Sequence, residues 1–221
     1  NGGAAFTLIY LICILLVGVP IVIAEFAIGR KTQLSPVGAF KKLAPDSWWK
    51  NVGYLGVASA FVILSFYSVV GGWTLRYTFV AISGGFEAMA GNPVLAKELF
   101  GDFVSSTWNP LFWHLIFIGL CIWIIVNGVK YGIERWSKIM MPAIIIILIM
   151  LVIRGLTLKN GMLGLEFLFK PKFSDLTANS VVLALGHSFF TLSLGMGTMI
   201  TYGSYLKKDQ NLLSSAFWVI F

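Results

Sequence analysis

The residues best suited to chemistry lie in one hydrophobic stretch, residues 184–205, which is rich in glycine, serine and threonine. Gly195 and Gly197 lie near its middle, where glycine costs about 1 kcal/mol relative to alanine in a helix. We therefore predict that a helix here breaks at residues 194–197. A break inside a membrane frees backbone N–H and C=O groups, and half-helix ends offer their dipoles to ions and charged ligands. The chemistry expected of this stretch is ion and substrate binding.

The same residue types also serve helix packing in membranes. Gly, Ser and Thr allow two helices to approach closely, and the hydroxyl groups can hydrogen-bond to their own helix. Spacing alone favours packing, whereas the sequence Gly195-Met196-Gly197 favours a functional break. Both explanations remain open at this point.

Further candidate residues are Tyr67 and Glu25 in other hydrophobic stretches, and the two histidines, of which His187 lies in residues 184–205. The hydroxyl of Tyr67 must find a partner inside a membrane, either a neighbouring helix carbonyl or a charged group of a ligand. Glu25 is close to Arg30, so we expect its carboxylate to reach the membrane surface and tie to the basic loop rather than relay protons. His114 and His187 have no paired cysteine or carboxylate at metal-ligand spacing, and neither is expected to bind a metal.

The composition indicates the environment of the chain. Of 221 residues, 58% are hydrophobic and 11% are charged, and the mean hydropathy is +0.87, values far from those of soluble domains. A multi-pass protein of the cell membrane is predicted. The net charge of +7 comes mostly from short connections, with no basic stripe for nucleic acid. Motifs for hydrolysis or phosphate binding are absent, so no enzyme activity is expected.

The hydrophobic stretches predict an all-α fold, a polytopic helical membrane protein with a single transmembrane domain over residues 1–221. A helix needs about 20 apolar residues to cross a bilayer. Spans are predicted at residues 4–29, 52–83, 110–127, 136–156 and 178–205, with an incomplete span at 212–221. Because there is no initial methionine and the last span is short, we expect a piece of a longer protein.

Lysine and arginine concentrate in the connections after the first, third and fifth spans, which predicts that these connections are cytoplasmic. The first of them contains Ser35 and Pro36, a good cap and first-turn pair. A short helix at the membrane surface is predicted there, although a plain loop fits the pattern equally well. Trp48 and Trp49 are expected at the depth of the lipid headgroups.

The glycine-rich stretch closely resembles the sixth transmembrane segment of the neurotransmitter:sodium symporter family. The resemblance rests on residues 189–195, FFTLSLG, and 200–210, ITYGSYLKKDQ. Residues 1–6 are similar to the junction of the first two helices, Pro20 and Glu25 to the second helix, and Tyr67 with Trp73 to the third. The resemblance implies a LeuT-type fold, with the chain covering segments two to six and the start of seven.

The resemblance also implies roles for individual residues. Tyr67 would bind the substrate carboxylate, Phe190 would cover the substrate, and Thr191 would give hydroxyl and carbonyl oxygens to a sodium ion. Ser204 and Tyr205 are similar to members of the cytoplasmic gate. The substrate-binding residues implied are Ile63, Tyr67, Phe190, Thr191, Ser193, Leu194, Gly195 and Met196.

Two residues depart from the usual family pattern. Met196 stands where many members have phenylalanine, and an adaptable methionine favours bulky hydrophobic or aromatic amino acids as substrates. His187 stands where members commonly have glutamine, in the neighbourhood of the chloride site of chloride-dependent relatives. Tyr10, His187 and Thr191 therefore form a candidate anion site, and the need for chloride is open.

The function implied by this resemblance is secondary active transport. Sodium ions and an amino acid would cross the lipid bilayer together, by alternating access around a site at mid-membrane. The alternative is a non-transporting membrane protein, a channel or a structural subunit, in which the small residues only pack helices. The absence of an Asn-x-Ser/Thr site in residues 84–109 favours a bacterial inner membrane.

Overall fold

The computed structural model describes residues 3–87, 92–158, 161–207 and 209–220. Asn1 and Gly2 of the first family motif, Lys208 of a basic connection and Phe221 of the last predicted span lie outside these residues. The described residues form helices and turns without a strand, as the all-α prediction requires. The α-helices are α1 (Ala4–Cys13), α2 (Val19–Thr32), α3 (Pro36–Leu43), α4 (Val52–Ile82), α5 (Pro93–Ser105), α6 (Trp108–Val126), α7 (Arg135–Leu156), α8 (Gly161–Phe169), α9 (Ala178–Thr191), α10 (Thr198–Tyr205) and α11 (Leu212–Ile220).

Helices long and apolar enough to cross a membrane lie over the first four predicted spans. Within the described residues they are Ala4–Thr32, Trp48–Ile82, Trp108–Val126 and Tyr131–Leu156. The first joins α1 to α2 through a π-helical turn at Ile14–Gly18. The fifth predicted span is divided between α9 and α10, so the predicted break in the sixth segment of the family fold is confirmed.

The chain divides into two compact units. Unit 1 comprises residues 1–61 and 155–221, and unit 2 comprises residues 62–154. Unit 1 contains the break between α9 and α10. Unit 2 contains most of α4, on which Ile63 and Tyr67 lie.

In unit 1, α2 and α10 pack with their backbones in contact. A Cβ atom on Gly29 would overlap the carbonyl oxygen of Ile200, and one on Gly203 would lie 2.8 Å from the carbonyl oxygen of Phe26. Glycine at both positions permits this approach, because any larger residue would push the helices apart. The half-helix α10 is thereby fixed against α2.

An apolar core surrounds this helix pair. Val22 and Phe26 of α2 are buried, at 0% and 2% exposed, and the turn after α9 adds leucine side chains to the same cluster. Tight apolar packing of this kind resists rearrangement. The buried members are Ile14, Val22, Phe26, Leu192, Leu194, Met199 and Ala216.

The short helix predicted after the first span is confirmed as α3. The Ser35 hydroxyl accepts a hydrogen bond from the backbone N–H of Gly38 at 3.4 Å, and Pro36 occupies the first turn. This capping satisfies a backbone donor that the first turn leaves free. Ala39 is buried in unit 1 and Lys41 is exposed, so α3 has an inner and an outer face.

In unit 2, α5 and α6 pack against the second half of α4. The rings of Trp73 and Phe100 meet edge to face at 5.6 Å between centroids, a favourable aromatic geometry. A Cβ atom on Gly72 would lie 2.7 Å from the backbone nitrogen of His114, so α6 approaches α4 closely here. These contacts hold the helix that carries Tyr67.

Candidate functional site

The break between α9 and α10 is a turn of residues 192–197 with left-handed backbone at three positions. The φ angles are 53° at Ser193, 75° at Gly195 and 74° at Gly197. Glycine adopts this conformation without a steric penalty, whereas a residue with a Cβ atom is strained there. The two glycines explain why the chain breaks here, and Ser193 stores backbone strain in the same turn.

Two backbone hydrogen bonds from the turn cap the carbonyl end of α9. The N–H of Ser193 donates to the carbonyl of Phe190 at 3.1 Å, and the N–H of Leu194 donates to the carbonyl of Phe189 at 3.0 Å. Thr191 is the last residue of α9, where the helix dipole is negative and favours a cation.

Glu25 reaches this break, which the sequence did not predict. It is 8% exposed, and its Oε1 accepts a hydrogen bond from the backbone N–H of Gly195 at 2.8 Å. This charge-assisted hydrogen bond ties the turn to α2.

The predicted tie between Glu25 and the basic loop at the membrane surface is therefore wrong. Glu25 lies seven residues before the end of α2 at Thr32, a rise of about 10 Å that its short side chain cannot span. Arg30 instead donates a hydrogen bond to the carbonyl of Gln210 at 2.5 Å. Counting this depth within the first span was the signal that could have identified Glu25.

A cavity of about 110 Å³ lies beside the Glu25 carboxylate. It is small compared with the roughly 300–1,000 Å³ of ligand pockets, so within unit 1 it provides space next to the break rather than a complete substrate pocket. Its lining is rich in glycine and apolar side chains. The lining residues are Glu25, Ile28, Pro36, Phe40, Val52, Gly53, Gly56, Gly195, Gly197 and Ile200.

The substrate-binding residues that the resemblance implies in unit 1 differ in how far they are exposed. Phe190 is 43% exposed, and Ser193 and Met196 are half-buried. Leu194 is 5% exposed, because its side chain belongs to the apolar core. The N–H groups of Leu194 and Gly195 are already hydrogen-bonded, to Phe189 and Glu25, so the backbone carbonyls of these two residues remain for polar contact with a ligand.

The structure brings together the three residues of the candidate anion site. The rings of Tyr10 and His187 lie 5.2 Å apart between centroids, tilted by 45°. Thr191 donates from Oγ1 to the carbonyl of His187 at 2.9 Å. Its hydroxyl oxygen keeps lone pairs for a cation while its proton is used within the helix.

The residues similar to a cytoplasmic gate lie at the end of α10. Ser204 donates from Oγ to the carbonyl of Thr201 at 2.7 Å, and Tyr205 is 59% exposed. Just beyond, the carbonyl of Leu206 accepts a hydrogen bond from Nε2 of Gln33 at 3.0 Å. This contact links the end of α10 to the end of α2.

The remaining implied residues, Ile63 and Tyr67, lie one turn apart on α4 in unit 2. Tyr67 is 53% exposed. Its neighbour Ser68 is 1% exposed and donates to the carbonyl of Leu64 at 2.7 Å. The serine therefore serves packing within α4, whereas the tyrosine ring stands on an open face of unit 2.

The hydroxyl groups of the broken segment include several that bond to their own helix. Ser188 donates to the carbonyl of Leu185 at 2.7 Å, and Thr201 donates to the carbonyl of Gly197 at 2.9 Å. Both bonds follow the pattern expected of packing residues in membrane helices. Packing and a functional break are thus both present, at different residues of one segment.

Comparisons with known proteins give a consistent family. The family model of the sodium:neurotransmitter symporter family matches residues 1–90 and 104–221. The uncharacterized sodium-dependent transporter YhdH of Bacillus subtilis is 43% identical over 216 residues, which cover 98% of this chain and 48% of that protein. The sodium-dependent neutral amino acid transporter B(0)AT2 of Bos taurus is 26% identical over 249 residues, covering 100% of this chain and 34% of that protein.

A solved structure gives the fold. The crystal structure of MhsT in complex with L-phenylalanine matches with a TM-score of 0.89 and 48% identity, covering 100% of this chain and 50% of that one. The chain spans about half the length of YhdH and of the MhsT chain. It has a LeuT-type fold with a broken sixth segment, and it belongs to the sodium:neurotransmitter symporter family.

Proposed function

We propose that the protein containing this chain is a sodium-coupled symporter that moves amino acids across the cell membrane by alternating access. One observation carries the proposal: the carboxylate of Glu25 holds the N–H of Gly195 at 2.8 Å in a broken membrane helix. Helix packing alone does not call for a buried carboxylate, whereas a binding site needs a fixed break that presents free backbone groups. The sodium-dependent relatives support the same function.

Sodium would bind at the end of α9. Thr191 supplies a hydroxyl oxygen and a carbonyl oxygen, which are the ligands that hard cations take in place of water. The negative end of the α9 dipole adds a favourable potential. Further ligands would come from parts of the protein beyond these residues.

The amino acid would bind across the turn after α9. Its amino group would meet the hydroxyl of Ser193 and the backbone near Gly195, and its side chain would contact Met196 and Phe190. Ile63 and Tyr67 of α4 would line the side-chain pocket and bind the carboxylate. Because MhsT was solved with L-phenylalanine, a bulky hydrophobic or aromatic amino acid is the substrate class we favour.

The remaining site residues would control ion dependence and access. Tyr10, His187 and Thr191 would form the anion site, with chloride as the candidate ion, and Thr191 would have to release its hydrogen bond to the His187 carbonyl to donate to the anion. Ser204 and Tyr205 lie at the end of α10, where they would form part of the cytoplasmic gate. A bacterial inner membrane is the location we favour.

The test is binding of radiolabelled amino acids to the natural protein, purified and measured in sodium and again in potassium. We expect saturable binding only in sodium, with aromatic and large aliphatic amino acids bound most tightly. Equal binding in the two salts would refute sodium coupling, and a preference for small or charged amino acids would refute the substrate class.

A further inference from the structure

The short helix α3 touches the break directly. A Cβ atom on Gly197 would lie 2.6 Å from Cγ of Pro36, and Pro36 and Phe40 line the cavity beside Glu25. A Cβ atom on Gly53 would lie 2.6 Å from the carbonyl oxygen of Pro36. Helix α3 is therefore held between the break and the start of α4, and a movement of α3 would act on both.

The outer face of α3 and the residues after it are basic. Lys41 and Lys42 occupy the last turn of α3 and are exposed, as is Lys50. The Lys41 ammonium group lies 5.1 Å from the centre of the Tyr54 ring, which holds it at the surface of α4. In residues 30–50 the five lysines and arginines are opposed by a single acid, Asp46.

Exposed apolar side chains accompany these cations. Trp48 is 68% exposed, Trp49 is 63% exposed and Leu43 is 41% exposed. Tryptophan beside lysine is the combination that settles at the headgroup level of a bilayer. Membrane topology accounts for cations on this side of the membrane, and the helix dipole accounts for lysines in a last turn. Neither requires that the cations lie on a short helix that contacts the break.

We propose that the basic face of α3 binds anionic lipid headgroups of the cytoplasmic leaflet, and that this binding steadies the break between α9 and α10. Phosphate groups of the lipid would pair with Lys41, Lys42 and Lys50, while the tryptophans insert among the headgroups. With α3 fixed in this way, Pro36 stays against Gly197 and the turn samples fewer conformations. The inference rests on the proposed function, since it describes a lipid ligand that regulates the transport site.

The experiment compares the natural protein in nanodiscs of phosphatidylcholine alone and of phosphatidylcholine mixed with phosphatidylglycerol. Retention of phosphatidylglycerol is measured by native mass spectrometry, and the break is followed by hydrogen exchange of the backbone amides of residues 192–197. The test variant combines Lys41→Gln with Lys42→Gln. The matched control combines Lys138→Gln with Lys207→Gln, which removes the same charge from the start of α7, where Lys138 pairs with Glu134 at 2.6 Å, and from the connection after α10.

We expect phosphatidylglycerol to slow exchange in residues 192–197 of the natural protein and of the control. In the test variant we expect retention to fall roughly 25-fold, because each lysine near an anionic leaflet contributes roughly fivefold, and the slowing of exchange to disappear. Thermal unfolding in phosphatidylcholine checks that the variant is folded.

Three outcomes would overturn the proposal: equal exchange of the natural protein in both lipids, equal loss of the lipid effect in variant and control, or the same slowing from soluble glycerol phosphate. Sodium-dependent amino acid binding is measured on the same samples. If that binding is absent while the lipid effect persists, the proposed function fails and the lipid site stands.

Discussion

At the residue scale, Glu25 is the most informative side chain of the chain. Its sequence position, in a hydrophobic span close to a basic loop, predicted a role at the membrane surface. Its structural position is a buried contact with Gly195, a partner 170 residues away along the chain. No pattern of neighbouring residues predicts a contact over that separation. The break itself could be predicted, because Gly195 and Gly197 destabilise a helix at their own positions.

Substitution of Glu25 separates its charge from its hydrogen bond. Glu25→Gln keeps an acceptor oxygen and loses the charge, so we expect sodium-dependent amino acid binding to weaken about fivefold to tenfold, or about 1 kcal/mol. Glu25→Leu leaves the Gly195 N–H without its acceptor, so we expect the free energy of unfolding to fall by about 1–3 kcal/mol more than in Glu25→Gln. Amino acid affinity and thermal unfolding are measured for both variants. Affinities and melting temperatures equal to those of the natural protein would show that the contact between Glu25 and Gly195 has no role.

Thr191 can be tested against a threonine with the same local geometry. Thr191→Val removes the hydroxyl oxygen proposed for sodium, so we expect the sodium concentration at half-maximal binding to rise roughly tenfold, the loss of about 1–1.5 kcal/mol of interaction. Thr201→Val is the control, because both hydroxyls donate to the carbonyl four residues earlier at 2.9 Å. If the two variants shift the sodium requirement equally, Thr191 is not an ion ligand.

At the scale of elements, the short capped helix and the broken helix could both be predicted, since Ser35-Pro36 and Gly195-Met196-Gly197 act within a few residues of themselves. The pairing of α2 with α10 could not. It depends on Gly29 and Gly203, which on sequence alone are two of 23 glycines. The functional consequence is that α10 and α2 behave as one packed element, to which the break is tied through Glu25.

The packing of α2 and α10 predicts a strong effect of a single methyl group. Gly203→Ala would place Cβ 2.8 Å from the carbonyl oxygen of Phe26, so we expect destabilisation of about 1–3 kcal/mol. Gly119→Ala in α6 is the control, because its Cβ would meet nothing within 4 Å, and it should be neutral or slightly stabilising. Thermal unfolding of the purified protein distinguishes them, and equal melting temperatures would contradict the close packing.

At the scale of the whole molecule, the hydrophobic composition predicted a membrane protein, and the family resemblance predicted the LeuT-type fold that the MhsT structure confirms. The exposed middle of α7, residues 144–153, is apolar throughout, as a helix surface that meets lipid or further protein must be. The division into two units leaves residues 190–196 in unit 1 and Tyr67 in unit 2.

The central claim is that this fold couples an amino acid to sodium through the break. The most direct measurement is uptake of a radiolabelled aromatic amino acid by proteoliposomes containing the natural protein, with an inward sodium gradient or an equal potassium gradient. We predict concentrative uptake only with the sodium gradient, and a much lower initial rate for Glu25→Leu reconstituted at the same density. Uptake that is the same in both gradients, or unchanged in the variant, would contradict the account.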